Sequence, residues 1–354
     1  MVALTIKFCK FKHAYTNTSY IQVLKRNYLS NTVLENVEKK IHPFKQIHPW
    51  KSLKELADDL LDNIIYNKDG LLVLNKPYGI PRGGGSENFN KRNHVSNAVH
   101  YTLEDTLPYI CNQLNYEHLT IAKCPEKYMS GITLLATTSQ ILHAIELAYV
   151  RSHFFGNTYW VITVGVPSVL SNFHRLAIKS ISNPQFKYRK TILTSTWSKN
   201  EEKFHKVKIF KARYDVLSNS TLNLCSLLKL RASTESRHVI RLFTSTYLYA
   251  PVLGDNIFSS QIQKVGNTYV NIDPFLSAPA LPKLDKRLLQ LLDVNSRQQE
   301  IIPVHIHLKS TLLSSFFGKD ILLEAPLSPF FNWTCKQLEF KNFMQNNVPC
   351  EQKI

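Results

Sequence analysis

Closely spaced cysteines are missing from this chain. Cys9, Cys111, Cys124, Cys225, Cys335 and Cys350 nowhere stand at C-x-x-C spacing, which excludes a zinc knuckle or dithiol redox motif of that form. Their scatter over 354 residues reads as reduced thiols, not a disulfide framework. Long apolar runs are missing too. No stretch approaches the roughly 20 residues a bilayer requires, which excludes a membrane-spanning helix. Acid is in short supply: 26 aspartates and glutamates face 43 lysines and arginines, a net charge of +17. Such an excess points to a polyanionic partner, nucleic acid or an acidic membrane surface. A basic soluble protein is the plain alternative. In the first 34 residues acid is absent altogether, while Lys7, Lys10, Lys12, Lys25 and Arg26 stand among Ser, Thr and Asn. That is the composition of a mitochondrial transit peptide, and "RNYLSN" at 26–31 is similar to a matrix-protease cleavage site. A basic tail touching RNA fits the same composition. The glycine-rich "PYGIPRGGGS" (77–86) has no Gly-Lys-Ser/Thr opening a helix behind it, so it is not a phosphate-cradling P-loop.

What is present is a foldable core, with 44% hydrophobic and 11% aromatic residues. "WKSLKELADDLLDNII" (50–65) sets Trp50, Leu53, Leu56, Leu60, Leu61 and Ile64 on one helical face, with Ser52 as cap. Lys68-Asp69-Gly70 reads as a turn before the strand "LLVLN". "TLEDTLPYICNQL" (102–114) is an amphipathic helix with Thr102 and Asp105 near a capping-box pattern, and with Pro108 either in its first turns or kinking it. A helix follows over 139–152 with Ser139 as N-cap, and a strand over 158–167. Residues 174–213 carry eleven Lys and Arg against Glu201 and Glu202, interleaved with Phe186, Tyr188, Trp197, Phe204 and Phe210. "ARYDVLS" and "STLNLCSLLKL" read as strands, and "HVIRLFTSTY" as helix or strand. Mixed elements without regular alternation give an α+β class. His305 and His307 alternate on a strand-like segment with no third ligand beside them, so they read as structural and no metal site is expected.

Three segments carry a resemblance. "LLVLNKPYGIPRGGG" resembles the opening strand and N-K-P-x-G loop of RluA-type RNA pseudouridine synthases, matching at Lys76, Pro77 and Gly79. "SGITLLATTSQ…NTYWVITVGVP" resembles the segment after the family's catalytic loop, at Ser130, Gly131, Tyr159 and Gly165. "HVIRLFTSTYLYAPVLGDNIFS" resembles its H-Q-x-R-x-H…P-x-L-G-D segment, at His238, Arg241, Pro251, Leu253, Gly254 and Asp255. The likeness covers about residues 66–330 and is strongest to the animal mitochondrial members, in particular a branch lacking the standard catalytic motif. It implies the pseudouridine synthase fold, a bent, mixed, mostly antiparallel sheet with flanking helices and an RNA-binding cleft. With the composition of the N-terminus and the pass along the chain, the expected domains are 1–34 (transit peptide or basic tail), 35–65 (helical extension), 66–335 (synthase-like domain) and 336–354 (tail), and the expected location is the mitochondrial matrix.

The family motif H-R-L-D-R-x-T-S-G, aligned on Ser130-Gly131, places the catalytic Asp at Glu126, with Lys127 for Arg and Pro125 for Leu. The resemblance therefore implies Glu126, Tyr159 and Arg241 as catalytic residues, with Arg241 paired to Glu126 and Tyr159 supporting the base, and no cofactor. Glu keeps the charge but shifts the oxygens by about 1 Å, a displacement that can cost on the order of 100-fold in rate. Further departures are Thr234-Glu235 for the family's T-G, Val239 for Gln and Phe243 for the second His. Two readings stand: an RNA uridine-to-pseudouridine isomerase, or an impaired relative that binds mitochondrial rRNA or mRNA and supports ribosome assembly or translation. Lys76, Arg82, Lys127, Lys187, Arg189 and Lys190 are the RNA-binding candidates, with Lys91 and Arg92 adding charge near the loop.

Overall fold

The computed structural model describes residues 41–83, 95–152, 156–266, 268–277 and 283–341. The readings made at 1–34, at Lys91 and Arg92, and over most of the 336–354 tail lie outside the described residues.

Helix α1 (Leu53–Asp62) begins where Ser52 Oγ accepts the Glu55 N–H at 3.2 Å, satisfying one of the orphan donors of a helix start. Strands β1 (Ile64–Lys68) and β2 (Leu71–Lys76) form a hairpin around Asp69 and Gly70, at φ 55° and 74°. Helix α2 (Leu103–Leu114) opens on the Thr102–Asp105 capping box and carries Pro108 within it. Strands β3 (Thr120–Lys123) and β4 (Ser130–Ala136) follow, then α3 (Ser139–Arg151). The cap of α3 is Thr138, whose hydroxyl accepts the Ile141 N–H at 3.3 Å. Ser139, expected as the cap, is already helical. Two hydroxyl residues in a row each offer a capping oxygen, and the helix starts on the first.

Next come β5 (Asn157–Val164), β6 (Ser171–Ser182), β7 (Arg189–Thr194), α4 (Lys199–Lys203), β8 (Val207–Asn219) and β9 (Cys225–Ala232). Helix α5 (Val239–Thr246), the small hairpin β10 (Ile262–Val265) and β11 (Thr268–Asn271), α6 (Lys286–Leu291), β12 (Ile306–Phe316), β13 (Lys319–Glu324) and α7 (Pro329–Gln337) complete the described chain. The basic 174–213 stretch is thus sheet for most of its length, with Leu176, Ile178, Phe210 and Ala212 buried and its cations outward.

Eleven strands join in the order β1-β2-β4-β12-β5-β9-β8-β6-β7, with β3 on β4 and β13 on β12. The pairs are antiparallel except β4 with β12, which run parallel through His307 opposite Ser130 and Leu308 opposite Gly131. This seam explains one motif glycine. Gly131 has φ +118°, and a Cβ there would lie 2.3 Å from the Leu308 carbonyl oxygen. Only glycine lets the two backbones meet. The α+β class stands as expected. Helices α1 and α2 cover one end of the sheet over a core of Leu56, Leu60, Leu72, Leu103, Ile110 and Leu135. The domain boundary expected at 65/66 therefore falls inside β1, and α1 shares a core with β2 and α2. His305 and His307 are buried and neutral. His305 bonds Thr334 Oγ1 at 2.8 Å and the Pro303 carbonyl at 2.7 Å, and His307 meets Ser130 Oγ at 2.9 Å. Burial pushes their pKa values down to about 4 and about 3.

Candidate active site

Glu126 lies in the loop between β3 and β4, and the opening motif holds that loop. The Gly79 N–H donates to the Lys127 carbonyl at 2.8 Å. Lys76 is fully buried, and its ammonium donates to the carbonyls of Met129 (2.8 Å), Ile80 (3.0 Å) and Pro77 (3.2 Å). Burial pulls its pKa down to about 8. Lys76 therefore ties two loops together and cannot reach a phosphate, which corrects its reading as an RNA contact. The N-K-P-x-G loop acts here as a bracket for the segment that carries Glu126.

The carboxylate of Glu126 reaches the start of α5. Oε1 accepts the His238 backbone N–H at 3.2 Å, and Oε2 lies 2.6 Å from His238 Nδ1. Both side chains are partly exposed, at 21% and 33%. Arg237 and His238 hold this turn at φ 60° and 56°, a left-handed pair that costs side-chain-bearing residues energy. The turn aims the His238 N–H and ring at the carboxylate.

Arg241 is placed one turn deeper and takes a different partner from the one expected. Its Nε donates to Asp255 Oδ2 at 3.0 Å and its Nη2 to Oδ1 at 2.5 Å, with both side chains buried. Asp255 also accepts the N–H groups of Ile257 and Phe258, at 2.9 and 3.0 Å. Burial disfavours the guanidinium charge, but Asp255 outweighs it, with help from Tyr78 and Glu126, and raises the pKa above its ordinary value. Glu126 thus acts on Arg241 through charge rather than by direct pairing. The reason is geometric: His238 stands at the helix start, where the loop carboxylate arrives, whereas Arg241 lies on the inward face, beside the Asp255 turn. The P-x-L-G-D segment supplies that Asp and a tight corner, since a Cβ on Gly254 would sit 2.0 Å from the Pro303 carbonyl oxygen.

Tyr159 is buried on β5, and its hydroxyl donates to Glu235 Oε2 at 2.8 Å. Asn157 Nδ2 donates to the hydroxyls of Tyr159, at 3.3 Å, and of Tyr149. Burial raises both tyrosines well above their ordinary pKa, with Glu235 adding to the rise. Glu235 as a residue is partly exposed, but its carboxylate turns inward. Desolvation and the neighbouring Glu126 raise its pKa to about 7, against the Tyr159 hydrogen bond and the charges of Lys76 and Lys123. Beside it lies a cavity of about 50 Å³ lined by residues including Lys123, Cys124, Tyr149, Glu235 and Thr311.

The structure thus gathers Glu126, His238 and Glu235 near one another, with Tyr159 on Glu235 and Arg241 one layer below. Sequence reasoning noted His238 and Asp255 as motif matches without roles, and Glu235 only as a departure. Their signal was the motif itself, which fixes positions but not partners. Of the other cations, Arg82 is exposed, donating to the Ile121 carbonyl at 3.1 Å and facing Glu104 at 3.4 Å. Lys127 sits 5.8 Å from the Tyr128 ring centre. Lys187, Arg189 and Lys190 lie on and before β7, at the opposite end of the strand order from β2. Among the described residues no cluster of three or more His, Cys, Asp or Glu stands ready to hold a metal ion, and no helix is long and apolar enough to cross a membrane.

No protein-family model matches the chain. Curated relatives do. The mitochondrial pseudouridylate synthase RPUSD4 of Mus musculus is 25% identical over 300 residues, covering 81% of this chain and 71% of the relative. The Homo sapiens protein of that name is 26% identical over 334 residues, covering 90% and 80%. The mitochondrial mRNA pseudouridine synthase Rpusd3 of Mus musculus is 25% identical over 293 residues, covering 81% and 80%. Among solved structures, human RNA pseudouridylate synthase domain containing 4 superposes with a TM-score of 0.61 at 21% identity, covering 82% of this chain and 97% of that one. That likeness establishes the pseudouridine synthase fold.

Proposed function

We infer, for a chain that belongs to the RluA-type family of RNA pseudouridine synthases, that its substrate is RNA in the mitochondrial matrix and that Glu126 stands in for the catalytic Asp. Its curated relatives are mitochondrial and so is this protein. The reaction breaks the C1′–N1 bond of a uridine, turns the uracil and rejoins it through C5, with the C5 proton released. The target nucleotide leaves its stack to reach the carboxylate. Whether the carboxylate attacks C1′ or takes a proton from C2′, it must be ionised and fixed in place. The observation that carries this reading is the hold on Glu126: two donors from His238 at a helix start, on a loop bracketed by Lys76 and Gly79. Arg241 then serves as a positioning residue that fixes α5 through Asp255, and Tyr159 as the wall of the base site.

One observation favours the second reading, an impaired relative that binds mitochondrial rRNA or mRNA in support of ribosome assembly or translation. Where the family has glycine, Glu235 lays its carboxylate on Tyr159 and lines the small cavity beside it. A carboxylate hydrogen-bonded to Tyr159 competes with a base for that residue. The experiment is pseudouridine mapping on mitochondrial transcripts incubated with purified protein. Modification by wild type, abolished in Glu126→Gln and raised in Glu235→Gly, is the outcome expected of an enzyme. No product from wild type or from Glu126→Asp, with RNA binding intact, would overturn it in favour of the binding module.

A further inference from the structure

We propose that the groove between β7, α5 and the β10–β11 hairpin is a stacking track for unpaired RNA, continuing the path that starts at Glu126. This rests on the reading that the chain acts on RNA. Helix α5 connects the two places. Its first end, at His238, faces Glu126, and its other end contributes Leu242 and Thr246 to a cavity of about 370 Å³, with Leu193, Tyr249, Asn271 and Pro274 among the other lining residues. Eight helical residues span about 12 Å, so a strand with its target nucleotide at Glu126 reaches the groove within a few nucleotides.

Two stacked aromatic pairs lead away from the groove, one through its lining residue Tyr249 and one through Phe275, next in the chain to its lining residue Pro274. Tyr249 lies on Tyr269 with ring centres 6.2 Å apart, and Phe186 on Phe275 at 5.5 Å. Tyr188 packs beside Phe186 and Phe275 and is 47% exposed, and Tyr269 is 42% exposed. Cations sit over the open rings: Lys190 Nζ is 5.6 Å from the Tyr188 centre and Lys264 Nζ 5.8 Å from that of Tyr269. Across residues 183–195 and 262–277 the only charges are Lys187, Arg189, Lys190 and Lys264 against Asp273, and the Asp273 carboxylate takes the Phe275 N–H at 2.7 Å.

Part of this is structural. A lone two-stranded hairpin is marginal, and the inner rings of the stacked pairs fasten it down. Fastening does not account for rings left half-exposed beside mobile lysine side chains that an incoming base can displace toward its phosphate. Open aromatic faces beside cations fit unpaired bases and their phosphates. A duplex shows no base faces to them, and a basic protein partner would be repelled.

The test uses the full-length protein and a labelled unstructured RNA of about ten nucleotides, read by fluorescence anisotropy. The double variant Tyr188→Ala with Tyr269→Ala is expected to lose about tenfold or more in affinity, at roughly 1–3 kcal/mol per stacked base. Tyr188→Phe with Tyr269→Phe is expected to keep it, because the rings remain. Lys264→Glu, at an exposed strand position, is expected to weaken binding with the rings intact. Wild-type affinity in the alanine pair or in Lys264→Glu overturns the proposal, as does an equal loss on a duplex of the same length. Binding is read without turnover. An absence of pseudouridine from wild type would therefore fail the functional reading and leave this one standing.

Discussion

At the scale of single residues, a buried ammonium and an inward-turned carboxyl shape the surroundings of Glu126. Lys76 spends its ammonium on three carbonyls and holds the Glu126 loop against the β2 loop. Lys76→Ala removes the stem and strands three acceptors, so it is expected to cost about 3 kcal/mol, read by urea unfolding. RNA affinity of the folded variant should stay within about twofold of wild type, well under 1.4 kcal/mol. Glu235 carries a pH dependence. Its folded pKa of about 7 stands above the unfolded value of about 4.5, so the native state keeps the proton longer. The stability this provides is fully present below the unfolded value and is lost as pH rises through 7. His305 and His307, with depressed pKa values, slope the opposite way at acid pH. Comparing wild type with Glu235→Gln at each pH cancels them. Between pH 5 and 8 the variant should gain on wild type by on the order of 2 kcal/mol, discounted for partial exposure. Parallel curves would mean that the Glu235 carboxyl is solvated.

At the scale of elements, period and caps were readable and partners were not. The 3.6-residue apolar face of α1, the Thr102–Asp105 box of α2 and the turn at Asp69-Gly70 were all legible, because each is decided within a few residues. The choice between Thr138 and Ser139 as cap was not, since both side chains offer the same oxygen. In the site, the order of motifs located Glu126, Tyr159 and Arg241. That Arg241 takes Asp255, that Glu126 takes His238 and that Glu235 takes Tyr159 are facts of three-dimensional proximity over 14, 112 and 76 residues. The β4–β12 seam gives a sharper case, because its parallel pairing joins strands that lie 177 residues apart at Ser130 and His307. Gly131→Ala places a methyl group on the Leu308 carbonyl at a φ that side chains avoid. The expected loss is about 3 kcal/mol or more, seen as a lowered Tm. An unchanged Tm would mean that the seam can open.

At the scale of the whole molecule, the excess of 43 basic over 26 acidic residues is not spread evenly. Acids cluster at helix starts, as with Glu55, Asp105, Glu201 and Asp285, where they complement the helix dipole. Cations remain on the long β6–β7–β8 wing. If that wing carries RNA, affinity must fall with salt in proportion to the phosphates it neutralises. For a single strand each lost contact lowers the slope of log K against log salt by about 0.7. Lys187→Ala, Arg189→Ala and Lys190→Ala together should flatten the slope by about 2. Tyr188→Phe, by contrast, should leave it unchanged. A triple variant with the wild-type slope would place the electrostatic footprint elsewhere, around Arg82 and Lys127 beside the Glu126 loop. The two outcomes separate a protein that grips RNA along its whole sheet from one that touches it only at the site of chemistry.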